Sequence, residues 1–141
     1  MALSDKYNYQ TEGPMVRVKG ATAASDTYYP GAMLVFDGDG YLAAPSDTAD
    51  VVPAGVYTGH GIDPGDDSLV VGSGENPTIE VERGLVWIPH TGAAQTDVGA
   101  TFFLTDDDTL ADSASSANWE VLCVGYKSGY LLIDFAHPMK S

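Results

Sequence analysis

Two stretches of fourteen residues, GAMLVFDGDGYLAA (residues 31–44) and GATFFLTDDDTLAD (residues 99–112), align on each other without a gap. Gly-Ala opens both, an apolar triplet follows, an acidic turn comes next and Leu-Ala closes the comparison. Asp and Gly tolerate the tight turn, and the flanking apolar residues can pack on one side. The physical reading is two β-hairpins of like construction. Each is followed by a related strand, AGVYTG in one case and VLCVGYKSG in the other.

Outward from these hairpins, β patterning dominates. MVRVK (15–19) and TIEVER (78–83) alternate apolar and polar residues, as half-buried strands do. AGVYTGH (54–60), SLVVG (68–72), LVWIP (85–89), WEVLCVGY (119–126) and YLLIDF (130–135) are short β-rich runs bounded mostly by Gly, Pro or Asp. The LLI of the last run is apolar on both faces, which places that strand centrally. No stretch sustains a 3.6-residue period over three turns. DTLADSASSANW (108–119) is the best helix candidate, but its Ser and Asp content favours a loop or one turn. GSGENP (72–77) reads as a flexible hairpin tip. The expectation is all-β: one small β-barrel or sandwich of short antiparallel strands with an extended N-terminal arm. Arm and body divide as 1–14 and 15–141. The expected core is Val35, Val56, Val70, Val81, Val86, Phe103, Val121, Val124, Leu132 and Phe135.

The 141 residues carry 20 acidic and 6 basic side chains, a net charge of −14. Phosphate would repel such a chain, so nucleic acid and anionic membrane are not expected partners. No run approaches transmembrane length, and the N-terminus lacks the apolar core of an export signal. Cys123 is the single cysteine and cannot form an internal bridge. It reads as a small apolar residue of a buried strand.

The acidic turn at residues 106–108 invites a metal reading. An EF-hand loop needs an oxygen ligand at its fifth position and a Glu at its twelfth. Counted from Asp37 these are Tyr41 and Thr48; counted from Asp106 they are Leu110 and Ala117. Both fail, so no metal and no cofactor is expected. His60, His90 and His137 fall in no ligand spacing, and no G-x-S-x-G elbow marks a nucleophile. No enzyme is expected. Tyr28, Tyr29, Trp87 and Trp119 could line a sugar-binding face, but core or subunit-interface positions suit them better.

The runs PGAMLVFDGDGYLAAPSDTADVVPAGVYTG (30–59) and VERGLVWIPHTGAAQTDVGATFFLTDDDTLADS (81–113), with the closing VGY…LLIDF, resemble the capsid decoration, or cement, proteins of tailed bacteriophages. The resemblance spans roughly residues 28–136 and rests on Gly positions and strand rhythm. It implies a non-enzymatic virion protein on the outer surface of the head, stabilising contacts between major capsid protein subunits, commonly as a homotrimer. Assembly in the host bacterial cytoplasm follows. Tyr28, Tyr29, Trp87 and Trp119 are then candidates for the subunit interface. Another particle component (a head-fibre base or tail protein) and a carbohydrate-binding β-module are the alternatives.

Charge distribution adds a candidate contact. Residues 1–20 hold Lys6, Arg17 and Lys19 against Asp5 and Glu12, a local net of +1, whereas the remainder sums to −15. The near-neutral arm, with Tyr7 and Tyr9 at alternate positions, could approach a surface that repels the acidic body. Lys6, Tyr7, Tyr9, Arg17 and Lys19 are the candidate capsid contacts.

Overall fold

β7 (Thr78–Pro89) is the strand on which everything else is hung. It joins TIEVER and LVWIP into one twelve-residue element through Gly84. The computed structural model describes residue 3 and residues 8–140. Within them the chain forms eleven strands and one 3-10 turn at Gln95–Asp97. The remaining strands are β1 (Gln10–Ala21), β2 (Asp26–Tyr28), β3 (Met33–Phe36), β4 (Leu42–Ala43), β5 (Val52–Tyr57), β6 (Leu69–Val71), β8 (Thr101–Asp106), β9 (Thr109–Ala111), β10 (Trp119–Lys127) and β11 (Tyr130–Lys140). The main sheet is curled and antiparallel, in the order β4-β3-β5-β7-β11-β10-β8-β9, with β1 also on β7. β2 and β6 pair separately.

The two echoing stretches are the same hairpin in the same register. Val35 faces Ala43 and Phe36 faces Leu42; 68 positions on, Phe103 faces Ala111 and Leu104 faces Leu110. The backbone bonds that seat the hairpins repeat as well. Gly31 N–H donates to Tyr57 O at 2.9 Å and Gly99 N–H to Cys123 O at 2.8 Å. Tyr57 N–H donates to Ala32 O at 2.8 Å and Cys123 N–H to Ala100 O at 2.9 Å.

The correspondence extends to the neighbours. Val81 lies between Val18 and Tyr57; Ile133 lies between Val86 and Cys123. Each half is therefore a five-stranded unit, β1-β7-β5-β3-β4 and β7-β11-β10-β8-β9. The first half of β7 completes one unit and the second half begins the other. The fold is two consecutive half-barrels sharing a strand.

Two cores follow. Leu34, Leu42, Tyr57, Ile79 and Val81 fill the first, with Val18 and Phe36 against them. Their counterparts Phe102, Leu110, Cys123, Leu131 and Ile133 fill the second, with Val86 and Leu104. The cores are sealed differently. Tyr28 and Val71, from the β2–β6 pair, join the first. The second takes in Met33, Val35, Val51 and Val56, so the outer side of β3 and β5 packs on it. Full burial of such side chains is worth about 1.5–3 kcal/mol each.

Cys123 is buried, as expected, and β11 is central. Three expected core residues are not core. Val70 is 72% exposed, because its neighbour Val71 takes the inward place on β6. Val124 is the extra residue of a β-bulge between Cys123 and Gly125, which turns it out to 39% exposure. On β8 it is Phe102 that points in, leaving Phe103 half-buried. GSGENP is no hairpin tip: β6 pairs with β2, so this segment carries the chain from one sheet to the other. Asn76 Nδ2 fixes it by donating to Thr22 O at 2.9 Å. Residues 10–14, read from sequence as arm, belong to β1, with a register shift between Glu12 and Val16.

Candidate functional site

The acidic turn joins β8 to β9. Asp107 N–H donates to Asp106 Oδ1 at 2.8 Å, and Thr109 Oγ1 to Asp108 Oδ1 at 2.8 Å. Its counterpart in the first unit, Gly38, Asp39 and Gly40, is exposed. This turn is not a free tip. The Asp107 carbonyl accepts from Met33 N–H at 2.8 Å, and its Oδ1 accepts from Leu3 N–H at 2.8 Å. Asp107 is 8% exposed. Burial pushes its pKa up to about 6; the Leu3 N–H opposes this, while the charges of Asp106, Asp108 and Asp26 add to it. Ligand-type oxygens from Asp106, Asp107 and Asp108 lie within 4.8 Å of one another. The turn serves as a packing contact of the second unit on β3 of the first.

The candidate capsid contacts fall in two groups. Lys6 and Tyr7 lie outside the described residues. Arg17 and Lys19 lie on β1 opposite Glu82 and Glu80 of β7, and Tyr9, just before the strand, packs against the second core. Arg17 Nη2 reaches Glu82 Oε1 at 3.3 Å and its Nε approaches Glu80 Oε1 at 3.8 Å. Arg17 is an exposed partner, so these pairs contribute about 0–1 kcal/mol. The Tyr9 phenol is half-buried, and its pKa rises beyond the ordinary tyrosine range, first through burial and then through Glu82. Lys19 is exposed. The positive charge foreseen here is thus partly neutralised by Glu80 and Glu82.

The aromatic candidates also separate. Tyr28 is 1% exposed and lies in the first core. Its hydroxyl group is within 3.1 Å of Ala23 O and 3.2 Å of Leu42 O, and burial raises its pKa to about 12. It is a core residue, not a surface one, because the β2–β6 pair packs on the first core. Tyr29 and Trp119 are half-buried. Trp87 sits on the outer side of β7, where its Nε1–H donates to Glu12 Oε1 at 3.0 Å.

Around Trp87 the structure assembles a cluster that sequence reading passed over. Lys127 Nζ lies 4.5 Å from the Trp87 ring centre and 5.2 Å from that of Tyr130. The same Nζ donates to Gln10 Oε1 at 2.8 Å. The alternation of Leu85 and Trp87, set against that of Tyr130 and Leu132, was the available signal. The outer face of the second unit carries more apolar side chains than that of the first, with Asp134 between Leu85 and Leu122. Arg17, Lys19 and Glu80 in the first unit correspond to Leu85, Trp87 and Leu132 in the second.

The histidines serve different places. His60 is exposed. The His90 ring meets Phe102 edge-on, with ring centres 5.4 Å apart. His137 Nδ1 lies 3.0 Å from Asp134 Oδ2 at the surface. Among the described residues, none of these contacts pairs a histidine with a nucleophile. No described protein family matches this chain, and neither does any curated protein or solved structure.

Proposed function

We propose that this chain is a structural, non-enzymatic protein of a phage particle. It binds the outside of the head and reinforces contacts between major capsid protein subunits. The observation that supports this reading is the set of apolar side chains gathered on the outer face of the second unit. Leu85, Trp87, Phe103, Leu122 and Val124 are all incompletely buried on a chain of net charge −14. Partner surfaces concentrate in apolar, aromatic patches of this kind. In this reading, Trp87 and its neighbours form the homotrimer contact on the head. Arg17 and Lys19 of β1, with Tyr9 just before it, face the capsid. A sugar platform is a poorer fit, since Tyr28 is buried.

The test is binding of purified protein to expanded, empty heads, read as co-sedimentation and as a rise in the temperature at which heads disrupt. Val124→Lys places a charge on the outer face at a bulge position that the core does not need. It should weaken head binding at least about tenfold while leaving the melting temperature of the free protein within a few degrees. Equal binding by wild type and Val124→Lys would remove this face from the account. Failure of the wild type to bind would remove the capsid reading.

A further inference from the structure

β1 has a neighbouring strand along one edge. That edge pairs with β7 in two stretches, 10–12 and 16–21, on either side of a register shift. The opposite edge meets a strand at one point, past its end, where Thr22 bridges Leu42 and Ala23 N–H donates to Leu42 O at 3.0 Å. Thr22 N–H points the other way, to Pro77 O at 2.9 Å. Backbone groups of a strand alternate between its two edges, so the N–H and C=O groups of Arg17 and Lys19 point outward, as those of Ala23 do. Among the described residues, no strand pairs with this outer edge at residues 16–20.

The side chains at this edge are sorted by face. Arg17 and Lys19 share the face on which Glu82 and Glu80 stand opposite them. The two glutamates are covered, with side-chain exposures of 12% and 17%, whereas that of Arg17 is 65%. Lys19 is exposed as well, and among the described residues it pairs with no carboxylate. An approaching chain therefore meets cations on this face. On the other face Val18 packs against the first core, while Val16 is left 61% exposed. A second copy of β1 fits badly. An antiparallel pairing keeps each side chain on its own face and sets Arg17 and Lys19 against the same cations of the copy. Pro14, which has no N–H, and the register shift beside it bound the open stretch at its other end.

We propose that the outer edge of β1 at residues 16–20 accepts an extended acidic segment of a partner chain as an added antiparallel strand. The segment carries Asp or Glu at alternate positions and β-branched apolar residues between them. Its backbone bonds to the outward groups of Arg17 and Lys19, its carboxylates lie beside these two side chains, and its apolar residues cover Val16. Opposite charges directly across a strand pair favour this register. The charge then alternates across three strands, from Glu80 and Glu82 through Lys19 and Arg17 to the partner. The open stretch holds about five residues of extended chain at roughly 3.3 Å per residue. The inference deepens the part given to β1 above, and rests on that reading only for the partner being a capsid subunit.

The experiment uses the full chain, labelled with nitrogen-15, and a capped peptide of about seven alternating Glu and Val residues. Amide shifts should concentrate at residues 15–20. Hydrogen exchange should slow at the Arg17 and Lys19 amides, and not at those of Val16 and Val18, which already face β7. The same peptide N-methylated at its Glu amides keeps its charge but cannot pair, and should bind at least about tenfold more weakly. So should a Lys-Val peptide, although a net charge of −14 attracts it. The surface variant Arg17→Gln with Lys19→Gln should lose the Glu-Val peptide by a similar factor while keeping the melting temperature of wild type. Equal binding of the methylated peptide, undiminished binding by the double variant, shifts away from β1, or no binding at millimolar peptide would each overturn the proposal. Protection of the Arg17 and Lys19 amides that grows with protein concentration alone would make a second copy the occupant, and would overturn it too. Heads take no part in this assay, so its failure is distinct from a failure of head binding.

Discussion

Gly55 lies against the Glu82 carbonyl so closely that no Cβ fits between β5 and β7. Its φ of 150° is also one that side-chain-bearing residues rarely adopt. The obstacle is backbone, so nothing soft can move aside. Gly55→Ala should cost about 2–4 kcal/mol of unfolding free energy, measured by urea titration. Gly38→Ala, where a Cβ would meet nothing within 4 Å, should stay within about 0.5 kcal/mol of wild type. A silent Gly55→Ala would show that β5 does not need this close approach.

Asp107 sets a pH dependence. Its pKa rises from 3.8 to about 6 on folding. The folded state thus holds the proton more tightly. The group's favourable contribution is complete below pH 3.8 and is lost as pH rises through about 6. Two pKa units correspond to about 3 kcal/mol; partial hydration at a turn brings the expected effect to about 1–2 kcal/mol. Asp107→Asn keeps an acceptor for Leu3 N–H and should raise stability at pH 7–8. Between pH 4 and 6 its stability should vary less with pH than that of wild type. Parallel curves for the two proteins would show that Asp107 does not titrate in that range.

Asp47 acts in the opposite direction. Backbone N–H groups of Ala117, Ser116 and Ser115 donate to its carboxylate at 2.8, 2.7 and 2.8 Å. These bonds hold its pKa below the ordinary value. Their stabilising effect is present above pH 3.8 and is lost as pH falls through the lowered pKa. Asp47→Ala should speed hydrogen exchange at residues 115–117 at neutral pH without altering exchange in β11. Unchanged exchange at those three amides would contradict the assignment.

Cys123 reports on the second core. Its thiol is buried, and burial raises its pKa. An aromatic disulfide reagent should label it only through opening of the second unit, so the labelling rate should follow the unfolding equilibrium. Fast labelling that ignores added urea would mean that the β10 strand opens locally.

Sequence periodicity resolved strands better than faces. The hairpin register was legible because Leu-Ala recurs at the same distance from each Gly-Ala. LLI placed β11 centrally because both its faces are apolar. Adjacent apolar pairs gave no parity signal: Phe102 with Phe103, Val70 with Val71, Cys123 with Val124. Which member points inward depends on a bulge or on a neighbouring strand. Gly84 hid the continuity of β7, since a glycine between two strand-like runs reads as a boundary. Asp107 looked exposed because its burial comes from Met33, far away in sequence. The cluster at Trp87 joins residues from both ends of the chain, Gln10 and Glu12 with Lys127 and Tyr130. No local pattern brings these together.

The proposed place on the head implies a copy number, and that number tests the proposal most directly. Quantitative mass spectrometry of purified virions whose genome encodes this chain should find it in near-stoichiometric ratio to the major capsid protein. Its absence from the particle, or its presence in only the few copies of a tail or fibre-base component, would contradict the account.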